Sequence, residues 1–68
     1  MNPAAKPFFV CRNSDLQREV WARWVPAMEY YEIFEGNESE QHSFIGECNF
    51  KSEIKAIARD YLNELYEG

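Results

Sequence analysis

The single histidine and the two cysteines are the first candidates for a base, a nucleophile or, together with a carboxylate, a metal site: His42, Cys11 and Cys48. His42 stands beside Glu40 in a polar stretch, but general acid–base catalysis needs a positioned partner and a pocket, and neither is indicated. The sequence contains no Cys-x-x-Cys or His-x₃-His spacing of the kind that structural zinc sites use. We therefore expect no enzyme, no catalytic residue, no metal and no cofactor.

The two cysteines are expected to stay reduced as small buried hydrophobic residues, because the first residues of the chain make a poor secretion signal. No uninterrupted apolar run approaches the roughly 20 residues that a membrane span needs. These observations predict a cytoplasmic protein with two free thiols.

Acidic residues are concentrated in one part of the chain. The sequence has 12 acidic against 7 basic residues and a net charge of −5. Six of the glutamates lie within residues 29–50, here called the acidic hairpin, and residues 24–50 contain no lysine or arginine. Such a charge opposes attraction to phosphate and to anionic membranes, so we expect no direct nucleic-acid or membrane binding. A protein with a basic surface is the expected partner, and a homodimer is a further possibility.

The same hairpin carries aromatic residues among its acids. If Tyr31 and Ile33 face inward, the opposite face exposes aromatic anchors ringed by carboxylates, which suits docking on a basic protein. The predicted partner-binding residues are Tyr30, Glu32, Phe34, Glu35, Glu38, Glu40, Ile45 and Glu47. The alternative is that a helix covers this face and the glutamates only maintain solubility.

Local patterns place these residues on a short series of elements. A β-prone run comes first. A helical pattern follows, which begins with a capping box formed by Ser14 and Gln17 and ends at Pro26. Two strands come next, and then a second helical pattern with Ser52 as its N-cap. On the last strand, Phe44, Cys48 and Phe50 are predicted to face the second helix. The predicted strands are Pro7–Cys11, Glu29–Glu35 and Ser43–Phe50, with helices over residues 15–25 and from Ser52 onward.

The pattern predicts an α+β fold of β-α-β-β-α order, in which an antiparallel hairpin packs on a C-terminal amphipathic helix. We expect residues 1–6 to be flexible and residues 7–68 to form a single domain. The Val and Trp content of residues 18–25 also suits a strand. The alternative fold is therefore a three- or four-stranded meander with one C-terminal helix.

Two functional hypotheses follow. The first is a noncatalytic protein-binding module, for example a small acidic inhibitor that competes with nucleic acid for a basic site, as is typical of phages and mobile elements. That origin is an analogy from size and charge alone. The second is a self-associating structural module of undefined role, because a small sheet has open edges.

Overall fold

The computed structural model describes residues 5–15 and 17–67, and for residues 66 and 67 it describes the backbone only. They form a four-stranded antiparallel meander followed by one helix, with strand order β1-β2-β3-β4. The elements are β1 (Phe8–Asn13), β2 (Arg18–Val25), β3 (Tyr30–Gly36), β4 (Gln41–Cys48), a 3₁₀ turn (Lys51–Glu53) and α1 (Ile54–Glu67). Of the predicted flexible terminus, residues 1–4 lie outside the described part, and the Ala5 amide donates a hydrogen bond to the Trp24 carbonyl at 3.4 Å.

The prediction of a helix over residues 15–25 is wrong, and so is the β-α-β-β-α order. Residues 18–25 form a strand between β1 and β3, as the alternative meander requires. Both tryptophans of this strand pack against an aromatic ring of an adjacent strand. Trp24 contacts Tyr31 on one face, and Trp21 contacts Phe9 on the other. Pairing with two strands therefore outweighs the local helical spacing.

The core lies between α1 and one face of the sheet. Its buried members are Val20, Ala22, Ile33, Cys48, Ile54, Ala58 and Leu62. The helix contributes every fourth residue, as its apolar periodicity predicted. Ser52, the predicted N-cap, lies within the 3₁₀ turn. Small residues lie at this contact: Ala22 of β2 and Ala58 of α1 are completely buried, and Gly46 of β4 lies opposite Ile57, where an added Cβ would meet Ile57 Cγ2 at an ordinary van der Waals distance of 3.7 Å.

A β-bulge changes which side chains of β4 face the helix. Ile33 pairs with Gly46 and Phe34 pairs with Phe44, so Ile45 is the extra residue. Cys48 is buried as predicted, but Phe44 faces away from α1 and is 56% exposed. Phe50, also predicted to face the helix, lies beyond the end of β4 and is exposed. The prediction for Phe44 assumed that the side chains of β4 alternate strictly between the two faces, and it is wrong because the bulge shifts the register by one residue.

No helix in the described ranges is long and apolar enough to cross a bilayer.

Candidate protein-binding face

The face of the sheet opposite α1 is here called the open face, because none of the elements formed by residues 5–15 and 17–67 packs on it. Strand alternation and the pairing registers assign residues to it. Its members are Phe9, Arg12, Glu19, Trp21, Arg23, Val25, Tyr30, Glu32, Phe34, Phe44 and Glu47.

An aromatic row crosses the open face with one ring from each strand. The registers pair Phe9 with Trp21, Trp21 with Phe34, and Phe34 with Phe44. The Phe9 and Trp21 rings meet edge to face with centroids 5.8 Å apart, a favoured geometry for aromatic pairs. Phe34, in the middle of the row, is only 2% exposed, whereas Phe9 is 50% exposed. The row therefore presents its two ends, Phe9 and Phe44, to a ligand.

Carboxylates lie next to this row. Glu32 accepts a hydrogen bond from Arg23 Nη2 at 3.3 Å, and its cross-strand neighbour on β4 is Glu47. Glu47 is exposed and makes no ion pair within the described part of the chain. Glu19 accepts a hydrogen bond from Trp21 Nε1 at 3.2 Å. Arg23 thus compensates one of these acids, and Glu47 remains available.

Glu35 lies on the opposite side of the sheet and fastens α1 to it. One carboxylate oxygen accepts from Arg18 Nη1 at 2.7 Å, and the other accepts from the Tyr61 hydroxyl at 2.6 Å. Partial burial acts to raise the pKa of Glu35, but the hydrogen bonds from Tyr61 and Arg18 and the charge of Arg18 outweigh it and hold the pKa below its usual value. The bond to Glu35 and burial raise the pKa of Tyr61. Glu35 therefore has a structural role.

The loop between β3 and β4 is closed by local hydrogen bonds. Asn37 Oδ1 accepts from the amides of Ser39 and Glu40 at 2.8 and 2.9 Å. At Gly36 an added Cβ would lie 2.2 Å from the Glu40 carbonyl oxygen, so only glycine fits there. The loop holds Glu38 and Glu40 at the exposed end of the hairpin.

His42 lies 3.0 Å from Glu40, measured between Nε2 and Oε2, and both side chains are exposed. The pair therefore lies in a solvent-exposed position at the end of the hairpin. Cys48 is buried and its thiol donates to the Phe50 carbonyl at 3.3 Å. Burial raises the pKa of Cys48, and the charge of Glu53 adds to the effect, so its thiol is a poor nucleophile.

The two thiols are free. Cys11 and Cys48 lie on the outer strands of the sheet, three strand spacings or about 14 Å apart, which is too far for a disulfide. Across residues 5–15 and 17–67, no group of three or more His, Cys, Asp and Glu side chains is arranged to hold a metal ion.

The predicted partner-binding residues therefore divide into three groups. Tyr30, Glu32, Phe34 and Glu47 lie on the open face, but Phe34 is buried there. Glu38 and Glu40 lie in the loop. Glu35 lies on the helix side, and Ile45 packs against the core, so the exposure expected for Ile45 is not found.

Sequence reasoning missed two features of this face. It did not include Phe9, Trp21 and Phe44 in the site, and it did not anticipate that arginines outside the hairpin compensate its acids. Reading residues 18–25 as a strand would have brought Arg18 and Arg23 beside β3. In comparisons with family models, with curated proteins and with solved structures, no match to this chain was found.

Proposed function

We propose that this protein is a noncatalytic protein-binding module that docks the open face and the adjoining acidic loop on a basic surface of a partner protein. The observation that carries this proposal is the aromatic row, whose exposed ends lie on a sheet face that no described element covers. Small monomeric proteins rarely leave a contiguous apolar surface open without an interaction to serve.

The charge beside the row favours a basic partner. Of the six glutamates in the acidic hairpin, Glu32 and Glu35 are compensated by arginines of β2. Glu29, Glu38 and Glu47 are exposed and form no ion pair with any described residue, and the exposed carboxylate of Glu40 pairs with His42. A ring such as Phe44 beside Glu47 combines an apolar anchor with a carboxylate, and this combination suits a surface rich in lysine and arginine.

A partner whose basic surface binds nucleic acid fits this chemistry, because carboxylates on a rigid sheet can occupy phosphate positions. In that case the protein acts as an inhibitor, and duplex DNA or RNA competes with it for the partner. Direct binding of this chain to nucleic acid is disfavoured by its net charge of −5.

The test uses the intact protein as bait in an extract of its native host. The variant Phe44→Ala/Glu47→Lys removes the exposed ring and reverses the neighbouring charge, and both positions are exposed, so the fold is expected to survive. Glu64→Lys is the matched control, because it makes the same charge change on an exposed position of α1. Glu32 is unsuitable for charge reversal, because a lysine there would face Arg23.

We expect wild type and Glu64→Lys to retain the same partner and the double variant to lose it. With the purified partner, the double variant should bind at least about tenfold more weakly, and association of the wild type should slow as salt rises. Equal binding of wild type and the double variant would exclude the open face as the docking surface.

Self-association is the second candidate function. It is favoured by the strand order, because β1 and β4 each pair with only one other strand of the described sheet. Light scattering at low and high salt distinguishes the two candidates: a dimer that persists at high salt supports self-association, and a monomer supports binding to a different protein.

A further inference from the structure

A groove lies at the outer edge of the sheet, between β1 and the start of α1, away from the acidic hairpin. Its volume is about 380 Å³, and its apolar part comes from the beginning of β1 and from Ile54. The lining residues are Phe8, Phe9, Val10, Lys51, Ser52, Ile54 and Lys55. This groove is separate from the surface of the proposed function, except that Phe9 borders both.

The β1 side of the groove, from Phe8 to Val10, lies at an outer edge of the described sheet. β1 pairs with β2 and with no other described strand. An edge strand presents a row of main-chain N–H and C=O groups to which an extended peptide can add. The register shift between Phe9 and Cys11 interrupts this edge at Val10, so an added strand pairs with the residues on one side of the bulge.

The helix side of the groove carries three cations that form no ion pair with the described side chains. They are Lys51, Lys55 and Arg59, which are spaced by four residues. Lys51 Nζ lies 5.1 Å from the centroid of the Phe8 ring. Lys55 lines the groove together with Phe8, Phe9 and Val10 of β1. Burial raises the pKa of Cys11 on the same strand, and the charges of Arg59 and Lys55 act against that rise.

The arginines of β2 and the cations at the start of α1 therefore differ in their ion pairing. Arg18 and Arg23 are occupied by glutamates of β3, whereas the cations along the start of α1 are not. A basic stripe beside an apolar groove on a protein of net charge −5 is a local exception, and it selects for an acidic ligand.

We propose that the β1 edge and this groove bind an extended acidic segment of a partner protein, which adds to β1 as a further strand. An apolar side chain of that segment occupies the space among Phe9, Val10 and Ile54, and its carboxylates lie beside Lys51 and Lys55. This second docking site does not depend on the proposed function of the open face.

A peptide fits this site better than the other acidic ligands. A polyanion such as nucleic acid would contact only a short basic stripe and would be repelled by the rest of the chain. A second copy paired symmetrically through β1 would bring the lysines of both copies together, which is unfavourable. An acidic strand with alternating apolar residues can form main-chain hydrogen bonds with the β1 edge, place an apolar side chain in the groove and place carboxylates beside the lysines.

The probe is a fluorescein-labelled synthetic peptide of alternating acidic and apolar residues, acetyl-Asp-Ile-Glu-Val-Glu-Ile-Asp-amide, titrated with the full chain. Two matched peptides test the mode of binding: one replaces every acid with lysine, and one replaces the central valine with proline, which cannot donate a ladder hydrogen bond. We expect saturable binding of the first peptide and at least about tenfold weaker binding of the other two.

The variant Lys51→Glu/Lys55→Glu tests the protein side. It should fold, because both positions are exposed and acidic residues are favourable near a helix N-terminus. Arg12→Glu is the control, with the same kind of charge change on β1 but on the open face. We expect the double variant to bind the probe at least about tenfold more weakly than Arg12→Glu does.

Hydrogen exchange locates the peptide. Strand addition should slow exchange of amides in β1, residues Phe8–Asn13, and leave β4 unchanged. Absence of binding, binding that is indifferent to the lysine variant, or protection on β4 instead of β1 would each overturn the proposal. A dimer formed by the wild type but not by Lys51→Glu/Lys55→Glu would also overturn the proposal, because the segment bound in the groove would then belong to a second copy of this chain. None of these results changes the outcome of the Phe44→Ala/Glu47→Lys experiment.

Discussion

The two faces of the sheet differ in the size of their side chains as well as in their exposure. Under α1 the sheet contributes Val20, Ala22 and Ile33, which are completely buried. On the open face the same strands contribute Trp21 and Phe34 to the aromatic row. No described helix packs on that face, and Trp21 there contacts the ring of Phe9 and donates a hydrogen bond to Glu19.

The large rings on the helix side of the sheet lie at the margin of the buried core. Phe8 and Trp24 each contact Tyr31 edge to face, with centroids 6.3 and 4.9 Å apart, and Lys51 lies over Phe8. The buried core therefore lies between α1 and the sheet, whereas the exposed rings of the aromatic row lie on the face where no described helix packs. Three substitutions probe this division.

The largest effect is expected from Leu62→Ala. Leu62 is 6% exposed in the core, so truncation should cost about 2–5 kcal/mol of unfolding free energy through lost burial and a cavity. For a domain of this size that is a large part of the total stability. Leu65→Ala, on the same helix at a position 38% exposed, is the control and should cost much less. Urea unfolding followed by circular dichroism measures both, and equal losses would contradict the placement of the core.

An intermediate effect is expected from Glu35→Gln. Glu35 links α1 to the sheet through Tyr61 and also pairs with Arg18 of β2, so the loss of its charge should cost about 1–3 kcal/mol. Its pKa is lowered in the folded protein, so its contribution is present above the unfolded value of about 4.3 and is lost as the pH falls through the folded value. The unfolding free energies of wild type and Glu35→Gln should therefore converge only when the pH falls below the folded pKa of Glu35, which lies under its unfolded value.

Glu32→Gln is the matched control on the open face, because Glu32 also pairs with an arginine of β2 but at 3.3 Å and without a tyrosine donor. We expect it to cost less than about 1 kcal/mol. If Glu32→Gln destabilised the protein as much as Glu35→Gln does at neutral pH, the two faces would not differ in the way described.

The smallest effect on stability is expected from Phe44→Ala. Its ring is already 56% exposed, so truncation should cost about 1 kcal/mol or less. The same urea measurement serves, with Leu62→Ala as the reference. A loss as large as that of Leu62→Ala would mean that the ring is packed rather than available to a partner.

Part of the candidate site was predictable from sequence. Alternation separated Tyr31 and Ile33 from Tyr30 and Glu32 on β3 but left open which pair faces inward, and the structure places Tyr31 and Ile33 on the helix side. The exposure of Phe34 and Ile45 was not predictable, because one is buried by cross-strand neighbours and the other is displaced by a bulge. Neither the neighbours nor the bulge is encoded within a single strand.

The sequence by itself determined the local elements with strong signals: the helix at Ile54–Glu67, whose apolar residues recur every three or four positions, and the hairpin of β3 and β4 around a Gly-Asn turn. It also determined that the acids are concentrated in that hairpin. Only the tertiary structure decided that residues 18–25 are a strand, because their conformation depends on hydrogen bonds to β1 and β3 on either side. That decision then placed Arg18 and Arg23 beside Glu35 and Glu32 and aligned the aromatic row, since cross-strand neighbours are set by register and not by distance along the chain.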